Sequence, residues 1–274
     1  MPERLTYDIP IALTAVYRGE RTIIRIYDPA EIDDKISSGL AGDIACLRIL
    51  SPDGVIDPLR RHFPGLPVEF ELHDPCKKLP LLYRYAPLLS DRPVRVSIPL
   101  LPGFGSAVKL AASLNFAVKV CGGQPDQPLV EEMLRIADYY LRRPAVTEPI
   151  DFFHSLFLAF YHHDPVTLWA IQDEDPAVVR YVDDHGNEAL HPRLSGGGGK
   201  PVTRFMEELA DDIASGNECA GCEFVVNCHG YFKRPRKEYR CDGIREVLRT
   251  LKDAAGELRR DLASFGPSPA GDSR

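Results

Sequence analysis

Val94-Arg-Val-Ser-Ile-Pro-Leu100 and Phe116-Ala-Val-Lys-Val-Cys121 flank a short helical pattern from Ser106 to Leu114, entered through Gly103-Phe-Gly105. The two outer runs are rich in residues that suit a pleated sheet. A strand, a helix and a second strand make a βαβ unit, and such units build parallel sheets. The same reading extends upstream to Ile44-Ala-Cys-Leu-Arg-Ile-Leu50, ended by a Ser-Pro-Asp-Gly turn, and to Val68-Glu-Phe-Glu-Leu-His73. Helical patterns lie between and after them, at Lys78 to Leu89 and at Gln127 to Leu141. In the second of these, Leu129, Val130, Met133, Leu134, Ala137 and Tyr140 recur at three- and four-residue steps. The count is about four to five βα units, whereas a complete eight-fold barrel takes about 250 residues. The expected fold class is therefore α/β, as a partial (β/α) barrel or an open parallel sheet.

Residues 7–27 alternate weakly and read as a hairpin or edge strands. Asp151 to His163 is apolar almost all round, which marks a buried core helix or a partner surface. Leu168-Trp-Ala-Ile171 and Val178-Val-Arg-Tyr-Val182, on either side of an acidic turn, suggest a small antiparallel hairpin. Ser195 to Lys200 contains four glycines and reads as a linker. It is no phosphate loop, because Leu194 stands where the first glycine belongs and Pro201 follows the lysine. Helices follow from Val202 to Ile213 and from Ile244 to Leu262, before a Pro/Gly/Ser tail expected to be disordered. The expected organisation is a partial βα barrel-like domain over 1–163, a small cysteine-rich domain over 164–265, and the tail over 266–274.

A net charge of −7 argues against a general nucleic-acid binder. No stretch reaches the roughly 18 to 20 apolar residues of a membrane span. Met1-Pro-Glu-Arg-Leu5 lacks the basic start and apolar core of a secretory signal, so a cytoplasmic location is expected. Seven cysteines, an odd number, do not read as a disulfide framework there.

Four of those cysteines cluster as Cys219-x2-Cys222-x5-Cys228-x12-Cys241, while Cys46, Cys76 and Cys121 stand alone. Cys-x2-Cys directs two thiolates to one centre across a tight turn, and Gly221 eases the chain around it. Four thiolates complete the ligand set of a tetrahedral zinc or of one iron–sulfur cubane. Zinc sites usually pair two short knuckles, and clusters more often take three ligands from a compact loop with a fourth from further along. Spacing by itself leaves both metals open.

Cys219-x2-Cys222-x5-Cys228, with Gly230 just after, resembles the middle of a SPASM domain, the C-terminal extension of many radical S-adenosylmethionine enzymes that modify peptides and proteins. In that family the run continues Cys-x2-Cys-x5-Cys-x3-Cys with a later cysteine, and the first three and the last bind one 4Fe–4S cluster. Here Phe232 stands at the fourth position and Cys241 is the later cysteine; no upstream pair serves a second cluster. The resemblance implies one 4Fe–4S cluster on Cys219, Cys222, Cys228 and Cys241, with one zinc ion as the alternative. The order of elements from about 168 to 262 is similar to that domain, and the βα units are similar to part of a radical-enzyme barrel. The family's radical motif, Cys-x3-Cys-x2-Cys, has no counterpart. The resemblance therefore implies a chain that is not catalytic alone. It would work in peptide modification beside a radical S-adenosylmethionine enzyme and its peptide substrate, by electron relay, docking or scaffolding.

Other candidates are weaker. Lys233-Arg-Pro-Arg-Lys237 offers cations beside an anionic cluster or to an acidic peptide, or else forms a solvated loop. His229 adjoins Cys228, but four cysteines already make a full set. Gly103-Phe-Gly105 lacks the third glycine of a dinucleotide loop and reads as a βα turn. Cys121-Gly-Gly123 ends a strand at the sheet's carboxyl edge, where ligands bind in such folds, though a lone cysteine is usually a small core residue. His162 and His163, adjacent on a helix, diverge by about 100°.

Overall fold

The computed structural model describes residues 4–32, 43–62, 64–143, 146–195, 202–215 and 218–264. Its first six strands are β1 (Thr6–Pro10), β2 (Arg21–Ile26), β3 (Asp43–Ile49), β4 (Val68–Glu71), β5 (Val94–Pro99) and β6 (Ala117–Cys121). Each lies parallel to the one before it. β7 (Val179–Val182) joins the free side of β1 in parallel, and β8 (Glu188–Ala189) adds to β7 antiparallel. The order is β6-β5-β4-β3-β2-β1-β7-β8, so the six strands step across the sheet in one direction. Such stepping winds a barrel, whereas a doubly wound sheet reverses at a switch point. The chain is thus α/β with a mostly parallel sheet, open among the described residues.

The crossovers use α1 (Asp57–Arg61), α2 (Pro80–Tyr85) and α3 (Phe104–Ser113). Gly103, at φ 86°, takes the left-handed turn into α3 that a side chain would resist. After β6 come α4 (Gln127–Arg142) and α5 (Asp151–His162). Asp126 caps α4, its carboxylate accepting from the Leu129 amide at 3.2 Å, and Val130, Met133, Ile136 and Ala137 face inward. Phe152, Phe153, Leu156, Ala159 and Phe160 of α5 are buried, as expected for a core helix.

The remaining helices are α6 (Leu168–Ile171), α7 (Pro192–Ser195), α8 (Val202–Ala214), α9 (Val225–Cys228) and α10 (Asp242–Ser264). α10 packs on α5 and α4 through Ile244, Val247, Leu248, Leu251 and Ala255. Phe224, Tyr231 and Phe232 belong to the same apolar core as the strands, so the cysteine-rich segment and the sheet share one interior.

Two expectations are corrected. Residues 7–27 form no hairpin or edge: β1 and β2 pair in parallel in mid-sheet. Ile23, Ile24 and Ile26 are buried on both faces of β2, a demand that a mid-sheet position meets and an edge does not. Leu168–Ile171 is a helix, because Thr167 Oγ1 caps it by accepting from the Ala170 amide at 3.2 Å. β7 therefore finds β1 and β8 as partners. The glycine run over 196–200 and the tail over 266–274 lie outside the described residues. Among the described residues no helix is long and apolar enough to cross a membrane.

Candidate metal centre

The cysteine segment folds through local backbone bonds. The Cys222 amide donates to the Cys219 carbonyl at 3.1 Å, closing the turn that the Cys-x2-Cys spacing requires. The Val225 amide then bonds to the Cys222 carbonyl at 3.1 Å and α9 begins, placing Cys228 at its last position. His229 at φ 45° and Gly230 at φ 71° turn the chain back in left-handed geometry. A Cβ on Gly230 would stand 3.0 Å from Leu209 Cδ1, so strain and space both favour glycine. Cys241 immediately precedes the 23-residue α10, and its carbonyl accepts the Arg245 amide at 2.8 Å. The positive end of that helix dipole therefore faces the fourth thiol.

All four sequence-predicted ligands, Cys219, Cys222, Cys228 and Cys241, line one cavity. Phe224, Val225, Phe232, Ile244 and Leu248 supply its apolar wall, and Glu218 and Arg245 its polar rim. Burial pushes the Cys228 thiol up to about 11 and the Cys241 thiol up to about 12, and it raises Cys219 as well. Neighbouring thiolates add to each shift, while Lys233 opposes it at Cys219 and Cys241. Cys219, Cys228 and Cys241 are therefore protonated at neutral pH, and a cationic centre would have to displace those protons on binding. Among the described residues no three His, Cys, Asp or Glu side chains are preformed to grip a single ion.

Lys233, buried near Cys219 and Cys241, donates to Glu218 Oε2 at 2.6 Å and to the Tyr239 carbonyl. Glu218 also accepts from the Cys241 amide at 3.2 Å and pairs with Arg245. The rest of the basic run is tied down too. Arg234 and Lys237 pair with Asp212, and Arg236 Nε donates to Gln124 Oε1 at 2.9 Å. The run is thus buried and paired at Lys233 and Arg234, and solvated from Pro235 to Lys237. His229 stays outside the cavity lining, and its carbonyl accepts from Trp169 Nε1 at 2.9 Å.

The lone cysteines do not meet. Cys46 lines the amino-terminal end of the sheet's inner face and Cys121 its carboxyl end. Cys76 is exposed in the turn after β4, where its thiol donates to the Pro102 carbonyl at 3.1 Å. At Gly103-Phe-Gly105, the Gly105 amide is already taken by Glu132 Oε1 at 3.1 Å.

Sequence reasoning missed the inner face of the sheet, which carries a buried ionic network. Asp8, Arg25, Arg48, Glu69, Arg95 and Lys119 come one from each of β1 to β6. Arg48 bonds to Glu69 at 3.1 Å and pairs with Asp8, and Arg25 holds Asp8 at 2.8 Å. Asp173, just beyond α6, joins Lys119 at 2.7 Å, Arg95 at 3.2 Å and Arg48 at 3.3 Å. Burial works to raise the Glu69 carboxyl, but Arg48, Arg95 and Lys119 hold it well below the usual carboxylate range. Asp173 is lowered against burial by Lys119, Arg95 and Arg48. The signal was a charged residue set amid apolar neighbours in strand after strand.

Comparison of the chain with protein-family models, with curated proteins and with solved structures yields no match in any of the three.

Proposed function

We propose that the chain is an accessory iron–sulfur protein, with one 4Fe–4S cluster on Cys219, Cys222, Cys228 and Cys241. It would work beside a radical S-adenosylmethionine enzyme in maturing a peptide or protein. The observation that carries this reading is that four thiols, two from one turn and two from further along the chain, line one cavity. Four thiolates are the number that a cubane takes. The α10 N-terminus, Lys233 and Arg245 set positive charge beside what would be an anionic centre, and the apolar wall limits water. A bound cluster would supply one-electron transfer; the chain's own residues hold the thiols and tune their charge.

The second reading is a protein-binding module stabilised by one zinc ion on the same thiols. The Cys219–Cys222 turn favours it, since that turn is one half of a common zinc site.

The test is co-expression with a radical S-adenosylmethionine enzyme encoded by a neighbouring gene and the short precursor peptide encoded beside it. Modification of the precursor should fall sharply when Cys222→Ala replaces the native chain. Undiminished modification without this chain, or no such neighbour at all, contradicts the accessory role.

A further inference from the structure

A second pocket, of about 170 Å³, opens at the carboxyl ends of β4, β5 and β6. Barrel-wound sheets place their ligands at this edge. The space suits several waters or one extended side chain. Glu71, His73, Ser97, Cys121, His191 and Arg193 are among its walls.

Its charges are unequally satisfied. Arg48 is committed to Asp8, Glu69 and Asp173. Lys119 donates to Asp173 at 2.7 Å and to the Gln172 carbonyl at 2.9 Å. Arg193 is bound to Glu174, with Nε donating to Oε1 at 2.9 Å. Glu71 differs. Among the described residues its carboxylate has one basic ring beside it, that of His73, with Nδ1 at 3.4 Å from Oε2. Burial pushes the Glu71 carboxyl up, the mark of an under-compensated charge.

Two further lining groups, His191 and Cys121, are neutral. Burial pulls His191 down to about 4 and pushes the Cys121 thiol up to about 11. His191 Nδ1 is buried without a hydrogen bond. An anion would find every lining Arg and Lys already engaged, and a neutral guest would leave the Glu71 carboxylate unmatched. A cationic guest answers both conditions.

We propose that this pocket binds an organic monocation of lysine side-chain length, its ammonium seated on the Glu71 carboxylate with Cys121 and His191 as neutral walls. The proposal stands apart from the cysteine centre. Phe232 lines the cysteine cavity, whereas its neighbour Tyr231 packs against Gly122 of the pocket.

The experiment is calorimetric titration of the full chain with three probes: Nα-acetyl-lysine methylamide, n-pentylamine, and the uncharged Nα-acetyl-norleucine methylamide. Saturable one-to-one binding is expected for at least one ammonium probe. A charge-assisted contact should make the norleucine compound about ten- to hundredfold weaker, and Glu71→Gln should lose affinity by a similar factor. Preference for the lysine compound identifies a peptide side chain as the guest, and preference for pentylamine a free amine. The proposal is overturned if neither ammonium probe saturates at millimolar concentration, or if a folded Glu71→Gln binds as well as the native chain. Should that variant fail to fold, the charged and neutral probes on the native chain decide alone: equal affinity refutes the proposal.

Discussion

Glu69→Gln tests whether the buried network holds the sheet together. The Glu69 side chain is 2% exposed and accepts from Arg48 Nε at 3.1 Å, Arg95 Nε at 2.9 Å and Ser97 Oγ at 2.7 Å. Glutamine keeps the shape but removes the charge, and its amide turns donors toward guanidinium donors. Breaking a buried pair costs about 3–5 kcal/mol. Arg48 retains Asp8 and Asp173, and Arg95 retains Asp151 and Asp173, so the lower end of that range is expected. With a urea slope of about 3 kcal/mol per molar, the midpoint should fall by about 1 M. Fluorescence of Trp169, the single tryptophan, follows the transition from between Tyr231 and Phe205. Glu223→Gln, at the exposed pairs with Arg249 and Lys252, is the control and should leave the midpoint unchanged. A loss below about 1 kcal/mol for Glu69→Gln would refute the reasoning, because it would leave the buried charges without structural weight.

Three further outcomes are expected. Gly122→Ala drives a Cβ into the Tyr231 ring and should cost about 1–3 kcal/mol, with an altered near-ultraviolet tyrosine signal; an unchanged signal contradicts that packing. His191 is held down to about 4, so between about 6.5 and 4 the unfolded chain binds a proton that the folded chain refuses. Stability should therefore fall as pH drops through that window, and His191→Asn should flatten the decline; a parallel decline in the variant refutes the assignment. Lys233→Met removes the buried ammonium near Cys219 and Cys241, so the midpoint potential of a cluster there should fall in a redox titration. A midpoint that stays or rises contradicts the electrostatic role given to Lys233.

The parallel units were legible where period and punctuation agree. β5, α3 and β6 stand almost where apolar runs and Gly103 put them, and α4 begins at a capped Asp126-Gln-Pro start. Leu168–Ile171 was misread because four apolar residues carry no period, and the Thr167 cap decides the matter locally. The pairing of β1 with β2 was hidden because a ten-residue connection without a long helix looks like a hairpin loop. The convergence of the four cysteines followed from their spacing and from the helix that starts after Cys241. The ionic face was not legible in the same way. Arg48 meets Asp173 across 125 residues of chain, and no local pattern discloses such a partner.

The central claim concerns what the four thiols hold, and metal analysis of protein purified without oxygen tests it most directly. Iron, acid-labile sulfide, zinc and the visible spectrum should be measured on the native chain and on Cys222→Ala. The account predicts about four irons and four sulfides per chain with broad visible absorption, all lost in the variant. A colourless native protein carrying one zinc ion, or iron that persists undiminished in Cys222→Ala, would contradict it.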